Sequence, residues 1–300
     1  MKLSVIIPTY DTADMTLVCC ASVMAALPAD AEVIVVDDGS TDGTATRVRD
    51  MFPSIIVLRQ PLNRGFAAAV NAGVAESRGE IVLLLNSDTR VFALAPFIDA
   101  FARDARLGVA GAQLVNAEGA LQWSAGKAPT ALWMVVMVSG VMERRRPRRL
   151  SGERPAPVPD DGGETPPAQP ARRRRSIDWV SGAAMAIRRS VWDAIGPMRE
   201  DFRFYAQDLD FCIRAKRAGW NVRLLDDVRV EHRHGATIAR DREQPYAPEL
   251  LWLDLLTWGR DEYGGKWARR TRRAMITVAF VRSLFSRDRR GYDALRHSRL

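Results

Sequence analysis

Four apolar runs with almost no polar alternation punctuate the first hundred residues, and helix-forming stretches separate them. The runs are Leu3 to Pro8 (LSVIIP), Glu32 to Asp37 (EVIVVD), Ile55 to Arg59 and Glu80 to Leu85 (EIVLLL). A strand without a polar face must be covered on both sides, and such strands alternating with helices mark a parallel α/β sheet. Helices are expected over Asp14 to Leu27, from the following Asp-Asp-Gly-Ser turn through Met51, and over the Ala-rich Phe66 to Ser77. Open sheets of this class bind ligands beyond the carboxyl ends of their strands. The residues that follow each run are therefore the first candidates for chemistry.

The pattern changes from Val109, where GVAGAQLVNAEGALQ reads as a strand and hairpin. Ala131 to Met142 is strongly apolar but too short to span a bilayer. Arg144 to Arg175 is rich in Pro and Arg, a composition that cannot bury enough surface to fold, and is expected to be a disordered insertion. Order is expected to return at Ile177 with a strand and a short helix. A helix from about Asp208 to Ala218 follows, then short strands at Val222–Leu225 and Val228–His232. Two helices carrying Trp252, Trp258 and Trp267 are expected from Pro248 onward. This organisation divides the chain into a main domain, residues 1–237, and a basic helical tail, residues 238–300.

The net charge of +8 invites a nucleic-acid reading, but the charge is segregated. Glu143 to Arg175 holds ten Arg against five acids, and Arg260 to Leu300 holds twelve Arg and Lys against four. The remainder is mildly acidic. Basic appendages of this kind suit an anionic membrane face, at about 1 kcal/mol per basic residue near the surface, or simply a solvated surface. The amino terminus lacks an apolar secretory segment, and the three cysteines (Cys19, Cys20, Cys212) have no metal-ligand spacing. A reducing cytoplasm is expected, with attachment to the inner membrane face.

Four segments carry candidate chemistry. In VVDDGSTDGT (Val35 to Thr44) a strand ends in two aspartates, turns at Gly, and enters a helix with Ser40 or Thr41 as cap. A carboxylate there can accept hydrogen bonds from a base or a ribose, or be no more than part of a capped turn. Asn86-Ser87-Asp88 follows EIVLLL directly. On an extended strand end Asn86 and Asp88 would point the same way and offer oxygens suited to Mg²⁺ or Mn²⁺, although an Asx turn leaving the sheet explains the same residues. In FYAQDLDFCIRAKRAGW, helical spacing places Asp208, Phe211, Cys212 and Ala215 on one face. Asp210 and Arg214 form an i, i+4 pair on another. Asp208 is then the inward carboxylate, and partial burial and nearby acids would raise its pKa towards that of a useful base. His232 and His234 share a strand face and could touch a phosphate or a metal.

Taken in order, SVIIPTY, VVDDGSTDGT, NRGFAAAVNAG, LLLNSDT, VSGAAMAIRR, the carboxylate of FRFYAQDLDFCIRAKRAGW and HRHGAT resemble the family-two inverting glycosyltransferases of GT-A fold. Within these they are most similar to the rhamnosyltransferase-like branch of surface polysaccharide assembly. The resemblance runs from about Lys2 to Thr237, apart from Arg144 to Arg175. It implies a Rossmann-like, mostly parallel sheet with flanking helices. It places Pro8, Tyr10 and Asp38 at the nucleotide base and ribose, with Asp11, Asn63, Arg64 and Asn86 also at the donor nucleotide. Asn86 and Asp88 match the metal and diphosphate motif, as N-x-D in place of the commoner D-x-D, with Asp88 as ligand to Mg²⁺ or Mn²⁺. Asp208 matches the catalytic base. His232, Gly235 and Thr237 match a His-x-x-Gly-x-Ser/Thr segment near the donor phosphates.

The chain departs from the family pattern at Gln207, where Glu usually precedes the base, and at Asp11, where Asn is usual. The expected reaction is a single in-line displacement with inversion. The donor would be a UDP- or dTDP-sugar, dTDP-rhamnose among them, and the acceptor a saccharide or a polyprenyl-diphosphate-linked saccharide. A sugar-nucleotide-binding homologue without turnover is the alternative that Gln207 favours. A sugar nucleotidyltransferase would need an N-terminal Gly-rich loop that SVIIPTYDTADM lacks, and charge segregation argues against nucleic acid. An oligomer is compatible with the tail.

Overall fold

The computed structural model describes residues 2–139, 176–203, 205–233, 248–285 and 290–297. Arg144 to Arg175, His234, Gly235 and Thr237 lie outside the described residues. The chain divides into two compact units. The first is drawn from Met1–Lys127, Asp161–Glu200 and Gln207–Pro245, the second from Ala128–Asp160, Asp201–Ala206 and Tyr246–Leu300. The sequence boundary at residue 238 does not draw this division, because the second unit also takes in an internal helix and a short internal loop.

In the first unit β1 (Leu3–Thr9), β2 (Ala31–Asp37), β3 (Ile56–Arg59) and β4 (Ile81–Leu85) pair in parallel, joined through α1 (Ala13–Ala26), α2 (Thr44–Met51) and α3 (Phe66–Glu76). These boundaries fall within a residue or two of those expected. Beyond β4 come β5 (Thr89–Val91), α4 (Ala95–Arg103), β6 (Leu107–Val115), β7 (Ala125–Gly126) and, in the second unit, α5 (Ala131–Val138). The first unit continues with β8 (Trp179–Val180), β9 (Ala184–Arg188), α6 (Arg189–Ile195), α7 (Gln207–Arg217) and β10 (Asn221–His232). The large sheet runs β3-β2-β1-β4-β9-β6-β10-β5, with β9 and β5 antiparallel to their neighbours. This is the mostly parallel α/β sheet of the GT-A fold.

Period-two alternation explains why the strands have no polar face. Val5, Ile7, Val33, Val35, Leu83 and Leu85 pack to one side against α1, α2 and α4. Ile6, Ile34, Val36, Val82 and Leu84 pack to the other against α3, α6 and α7. Helix α3 approaches β1 closely because Gly73 has no side chain; a Cβ there would lie 2.5 Å from Ile6 Cγ2. Burying each such Leu or Ile contributes roughly 1.5–3 kcal/mol.

Two local expectations are corrected, and one open alternative is decided. The two strands read at Val222–Leu225 and Val228–His232 are one strand, β10, with an irregularity between Leu225 and Arg229 that absorbs Asp226 and Asp227. Helix α2 is not capped by Ser40 or Thr41. Its N-cap is Gly43, with φ 81°, and Asp42 just before it accepts from Thr44 N–H at 3.0 Å and from the Thr44 hydroxyl. Of the two readings of Asn86 to Asp88 the turn is the one present, since Thr89 N–H closes it onto Asn86 C=O at 3.1 Å. The short α4 and β5 were not anticipated.

The second unit is helical: α5, then α8 (Pro248–Tyr263), α9 (Gly265–Phe285) and α10 (Arg290–His297), one helix more than the sequence suggested. Trp252 and Trp258 are buried, as are Leu255, Leu256 and Met275. Asp254 is buried and accepts from the backbone N–H of Arg203 and Tyr205 at 3.1 and 2.8 Å. The exposed stripe of α9 begins with Lys266, Arg269, Arg270 and Arg273 and ends with Phe280, Val281 and Leu284. No helix among the described residues is long and apolar enough to cross a membrane.

Candidate active site

The carboxyl ends of β1, β2 and β4 hold the candidate residues on three turns. Pro8 pairs with Val36 but lies beyond the stretch where β1 pairs with β4, so its missing N–H leaves no ladder bond unmade. Asp11 follows with φ 47°, a left-handed conformation that Asp tolerates. Its Oδ1 accepts from the N–H of Thr41 at 2.6 Å and of Asp42 at 3.3 Å, while its own N–H donates to Ser40 Oγ at 2.9 Å. Asp42 Oδ2 accepts from Ala13 N–H at 2.9 Å. Asp11 thus ties the first two turns together. Tyr10 beside it is half-buried.

Asp38 organises the third loop. It is buried, and its carboxylate accepts from Arg64 N–H at 3.0 and 3.1 Å and from Gly65 N–H at 2.7 Å. Gly39 makes this approach possible. Its φ is 84°, and a Cβ there would lie 2.7 Å from the Leu62 carbonyl carbon. Burial pushes the Asp38 carboxyl pKa up, against the lowering effect of those backbone N–H groups. Asn63 Oδ1 also accepts from Gly65 N–H at 2.9 Å. The Arg64 guanidinium reaches Glu200 at 2.9 Å, and Glu200 also accepts from Asn71 Nδ2 at 2.9 Å.

Asn86 is half-buried at the end of β4, and its N–H donates to Ala183 C=O at 3.0 Å. Ser87 Oγ lies 3.0 Å from Thr12 Oγ1, which meets Thr9 Oγ1 at 2.8 Å. Asp88 is buried beside His232, whose Nε2 stands 3.4 Å from Asp88 Oδ1. No hydrogen bond reaches that oxygen. A buried carboxylate oxygen without a donor is costly unless something positive serves it. Gln122, from the hairpin after β6, contacts His232 twice. Sequence reading missed Gln122, and nothing local to it signals a partner so distant in the chain.

Asp208 is the second residue of α7, where the helix N-terminus favours negative charge. Its Oδ2 accepts from Gly182 N–H at 2.9 Å and its Oδ1 from Leu209 N–H at 2.8 Å. Phe211, Cys212 and Ala215 are buried, as the helical spacing required. Burial raises the Asp208 pKa, and the backbone N–H groups of Gly182 and Leu209 oppose it. The nearby acids expected to help do not contribute. Asp210 is held by Arg214 at 2.7 Å and Arg199 at 3.6 Å, which fits the structural part expected of it.

These contacts close a ring. Asp38 N–H donates to Thr9 C=O, and Asp38 holds Gly65, which starts α3 at Phe66. The Phe66 ring comes within 3.4 Å of a Cβ built on Gly182, and the Asp208 Cβ within 3.5 Å of it. Gly182 binds Asp208, and the adjacent Ala183 binds Asn86. Asp38, Asn86 and Asp208 are thereby linked through short contacts in the first unit, and Gly182 packs against both the Phe66 ring and the Asp208 Cβ. Chemically, these elements supply a carboxylate of raised pKa at Asp208, and an Asp88 oxygen that faces an imidazole nitrogen at 3.4 Å.

The family described as Glycosyl transferase family 2 matches residues 4–162, and Glycosyl transferase family group 2 matches residues 168–288. A relative from Mycobacterium tuberculosis H37Rv, N-acetylglucosaminyl-diphospho-decaprenol L-rhamnosyltransferase, is 24% identical over 290 residues, covering 90% of each chain. The structure is similar to a Pyrobaculum calidifontis mannosyltransferase in complex with GDP-Man and Mn²⁺ (TM-score 0.52, 19% identity, 93% of this chain and 75% of that one). It is also similar to S. aureus TarS 1–349 in complex with UDP (TM-score 0.52, 18% identity, 96% and 73%).

Proposed function

The chain belongs to glycosyl transferase family 2, in its rhamnosyltransferase-like branch, and from that premise we propose that it transfers a sugar from a UDP- or dTDP-sugar to a hydroxyl of a lipid-linked saccharide, with inversion. The observation that carries the reading is the short path between base and donor side. Gly182 N–H binds Asp208, and the next residue, Ala183, binds Asn86.

In this mechanism Asp208 accepts the proton of the acceptor hydroxyl. That oxygen bonds to the anomeric carbon as the bond to the diphosphate oxygen breaks on the opposite face. A raised pKa suits a base that works near neutral pH. The Asp38 loop and Tyr10 hold the nucleotide. Asp88 with His232 would hold a divalent cation, which would offset charge on the leaving diphosphate. The residues fit such an ion: Asp88 Oδ1 is buried and receives no hydrogen bond. Its 3.4 Å separation from His232 Nε2 is close to the ~3 Å between adjacent ligands of an octahedral cation with bonds of about 2.1 Å. Only two protein ligands are on hand, since no group of three His, Cys, Asp or Glu occurs among the described residues, and Mg²⁺ is commonly held by so few together with substrate phosphates.

The acceptor class rests on the M. tuberculosis relative, whose name specifies a decaprenol-diphosphate-linked N-acetylglucosamine. A lipid-linked acceptor also gives the α9 stripe a use. Its basic start and apolar end suit an anionic membrane surface on the cytoplasmic side, where cell-surface polysaccharide precursors would be presented. The transferase function belongs to residues 1–237 in this reading, and the membrane contact to the helices beyond.

The test is a thermal-shift series on purified protein with UDP- and dTDP-sugars, with and without Mn²⁺, followed by transfer to a polyprenyl-diphosphate-N-acetylglucosamine acceptor. Metal-dependent stabilisation by one donor and product formation are expected; no stabilisation by any donor would refute the proposal. One observation favours a second reading, a donor-binding protein without turnover. Gln207 is buried beside the base, where an acid is usual, and adds no charge to sharpen Asp208. Donor binding without transfer or donor hydrolysis would select that reading.

A further inference from the structure

The Gln122 side chain bridges two atoms of His232. Gln122 Nε2 lies 2.8 Å from the His232 carbonyl oxygen, and Gln122 Oε1 lies 3.0 Å from His232 Nδ1. A backbone carbonyl can only accept, so the amide nitrogen must be the atom that faces it. The amide oxygen then faces the ring, and because it too can only accept, Nδ1 must carry the hydrogen. In the neutral ring the lone pair is consequently on Nε2, the atom that stands 3.4 Å from Asp88 Oδ1. Two electron-rich atoms are thereby set facing each other inside a buried site, with no hydrogen bond to that carboxylate oxygen.

Gln122 is itself fixed. Its N–H donates to Leu114 C=O at 2.9 Å, and its own carbonyl accepts from Gln113 Nε2 at 3.1 Å and from Ser124 Oγ at 3.0 Å. The hairpin therefore presents a rigid amide to the last residue of β10. We propose that Gln122 is a positioning residue, which locks His232 in the Nδ1–H tautomer and so aims Nε2 with Asp88 at one divalent cation. The proposal rests on the donor-site reading above for the identity of the cation. The tautomer argument stands on the hydrogen bonds alone. Partners of this kind, one step behind a metal-ligating His, commonly change metal affinity 10- to 100-fold when removed.

The experiment uses the full chain with ¹⁵N-labelled histidine, of which there are three, and a His232→Gln variant to assign the His232 signals. At pH 8 without metal, the wild type should show Nδ1 as the protonated nitrogen of His232. Gln122→Leu should lose that preference, and Gln122→Glu, which keeps an acceptor for Nδ1–H, should retain it. In parallel, free Mn²⁺ is measured by electron paramagnetic resonance in the presence of UDP. Gln122→Leu should weaken Mn²⁺ binding 10- to 100-fold, and Gln122→Glu should weaken it less. A wild-type His232 protonated on Nε2, or a Gln122→Leu variant unchanged in both readouts, would overturn the proposal. Wild-type protein that binds no Mn²⁺ with UDP would overturn the cation seat together with the donor-site reading. Intact Mn²⁺ binding that survives Gln122→Leu would overturn the part assigned to Gln122 alone.

Discussion

Asp208→Asn separates the charge of the candidate base from its shape. In the wild type, Oδ2 accepts from Gly182 N–H and Oδ1 from Leu209 N–H, at 2.9 and 2.8 Å. Asn keeps one carbonyl oxygen, so one N–H is left against an amide nitrogen, a loss of about 1–3 kcal/mol. Burial works the other way. It raises the Asp208 pKa above its unfolded value, so the charged form is disfavoured in the fold. That penalty is fully present at pH above the folded pKa and disappears below the unfolded one, so Asn gains most relative to Asp at neutral and alkaline pH. The two effects offset, and urea unfolding at pH 7 should shift by less than about 1.5 kcal/mol. Turnover should fall far more, by roughly 10²- to 10⁴-fold, which corresponds to about 2.7–5.4 kcal/mol of barrier. Wild-type kcat should rise with pH through the raised Asp208 pKa, and the residual rate of the variant should be flat over the same range. Release of nucleoside diphosphate, read beside urea denaturation, makes both measurements. Turnover above a tenth of wild type would remove Asp208 from the role of base. A stability loss above about 3 kcal/mol would show that the carboxylate is chiefly structural.

Three further outcomes are expected. Asp42→Ala removes the acceptor for Ala13 N–H, Thr44 N–H and the Thr44 hydroxyl, and should lower stability by about 1–3 kcal/mol at pH 7. Burial would raise the Asp42 pKa, but these hydrogen bonds outweigh it and hold the carboxyl below its usual range. Its stabilisation is therefore present above the unfolded pKa and fades as pH falls through the folded one, so denaturation below about pH 4 should find the gap between variant and wild type closing. Asp88→Asn removes a buried charge whose Oδ1 receives no hydrogen bond, so calorimetry should find stability unchanged or improved, while the Mn²⁺-dependent part of donor stabilisation disappears. Replacing Arg269, Arg270 and Arg273 with Gln should reduce partitioning onto phosphatidylglycerol vesicles roughly 100-fold, at about 1 kcal/mol per charge, without altering urea unfolding. Equal wild-type binding to neutral and anionic vesicles would refute the electrostatic part of that surface.

The sheet of the first hundred residues was legible because burial on both faces leaves unbroken apolar runs, and because crossovers set β1, β2 and β3 side by side before β4 returns to pair with β1. The packed face of α7 was legible for a similar reason, since Phe211, Cys212 and Ala215 at helical spacing are all buried. That Asp210 on the other face is buried too was not legible, because its cover comes from Arg199 and Arg214. The Asn86–Asp88 geometry stayed open in the sequence because extended backbone and turn share the same residue types, and the bond from Thr89 N–H to Asn86 C=O decides for the turn. The burial of Trp252 and Trp258 was not legible in the sequence, since amphipathic aromatics read alike at an interface and in a helical core. Gln122 left no local trace. Its meaning arises only when the hairpin after β6 and the end of β10 become neighbours.

The strand order has a consequence for how the protein comes to be folded. Strands β1 to β4 meet through nearby crossovers, whereas β4 must wait for β9, and β5 for β10, across roughly a third and nearly half of the chain. Closing loops of that length is slow, so the β1–β4 side of the sheet should consolidate early and the β5–β10 closure late. Asp88 and His232 sit on that last closure, at the Thr89–His232 end of the ladder. In a nascent or partly refolded chain Asp88 and His232 would therefore meet late, after the turns that follow β1, β2 and β4 are already in place.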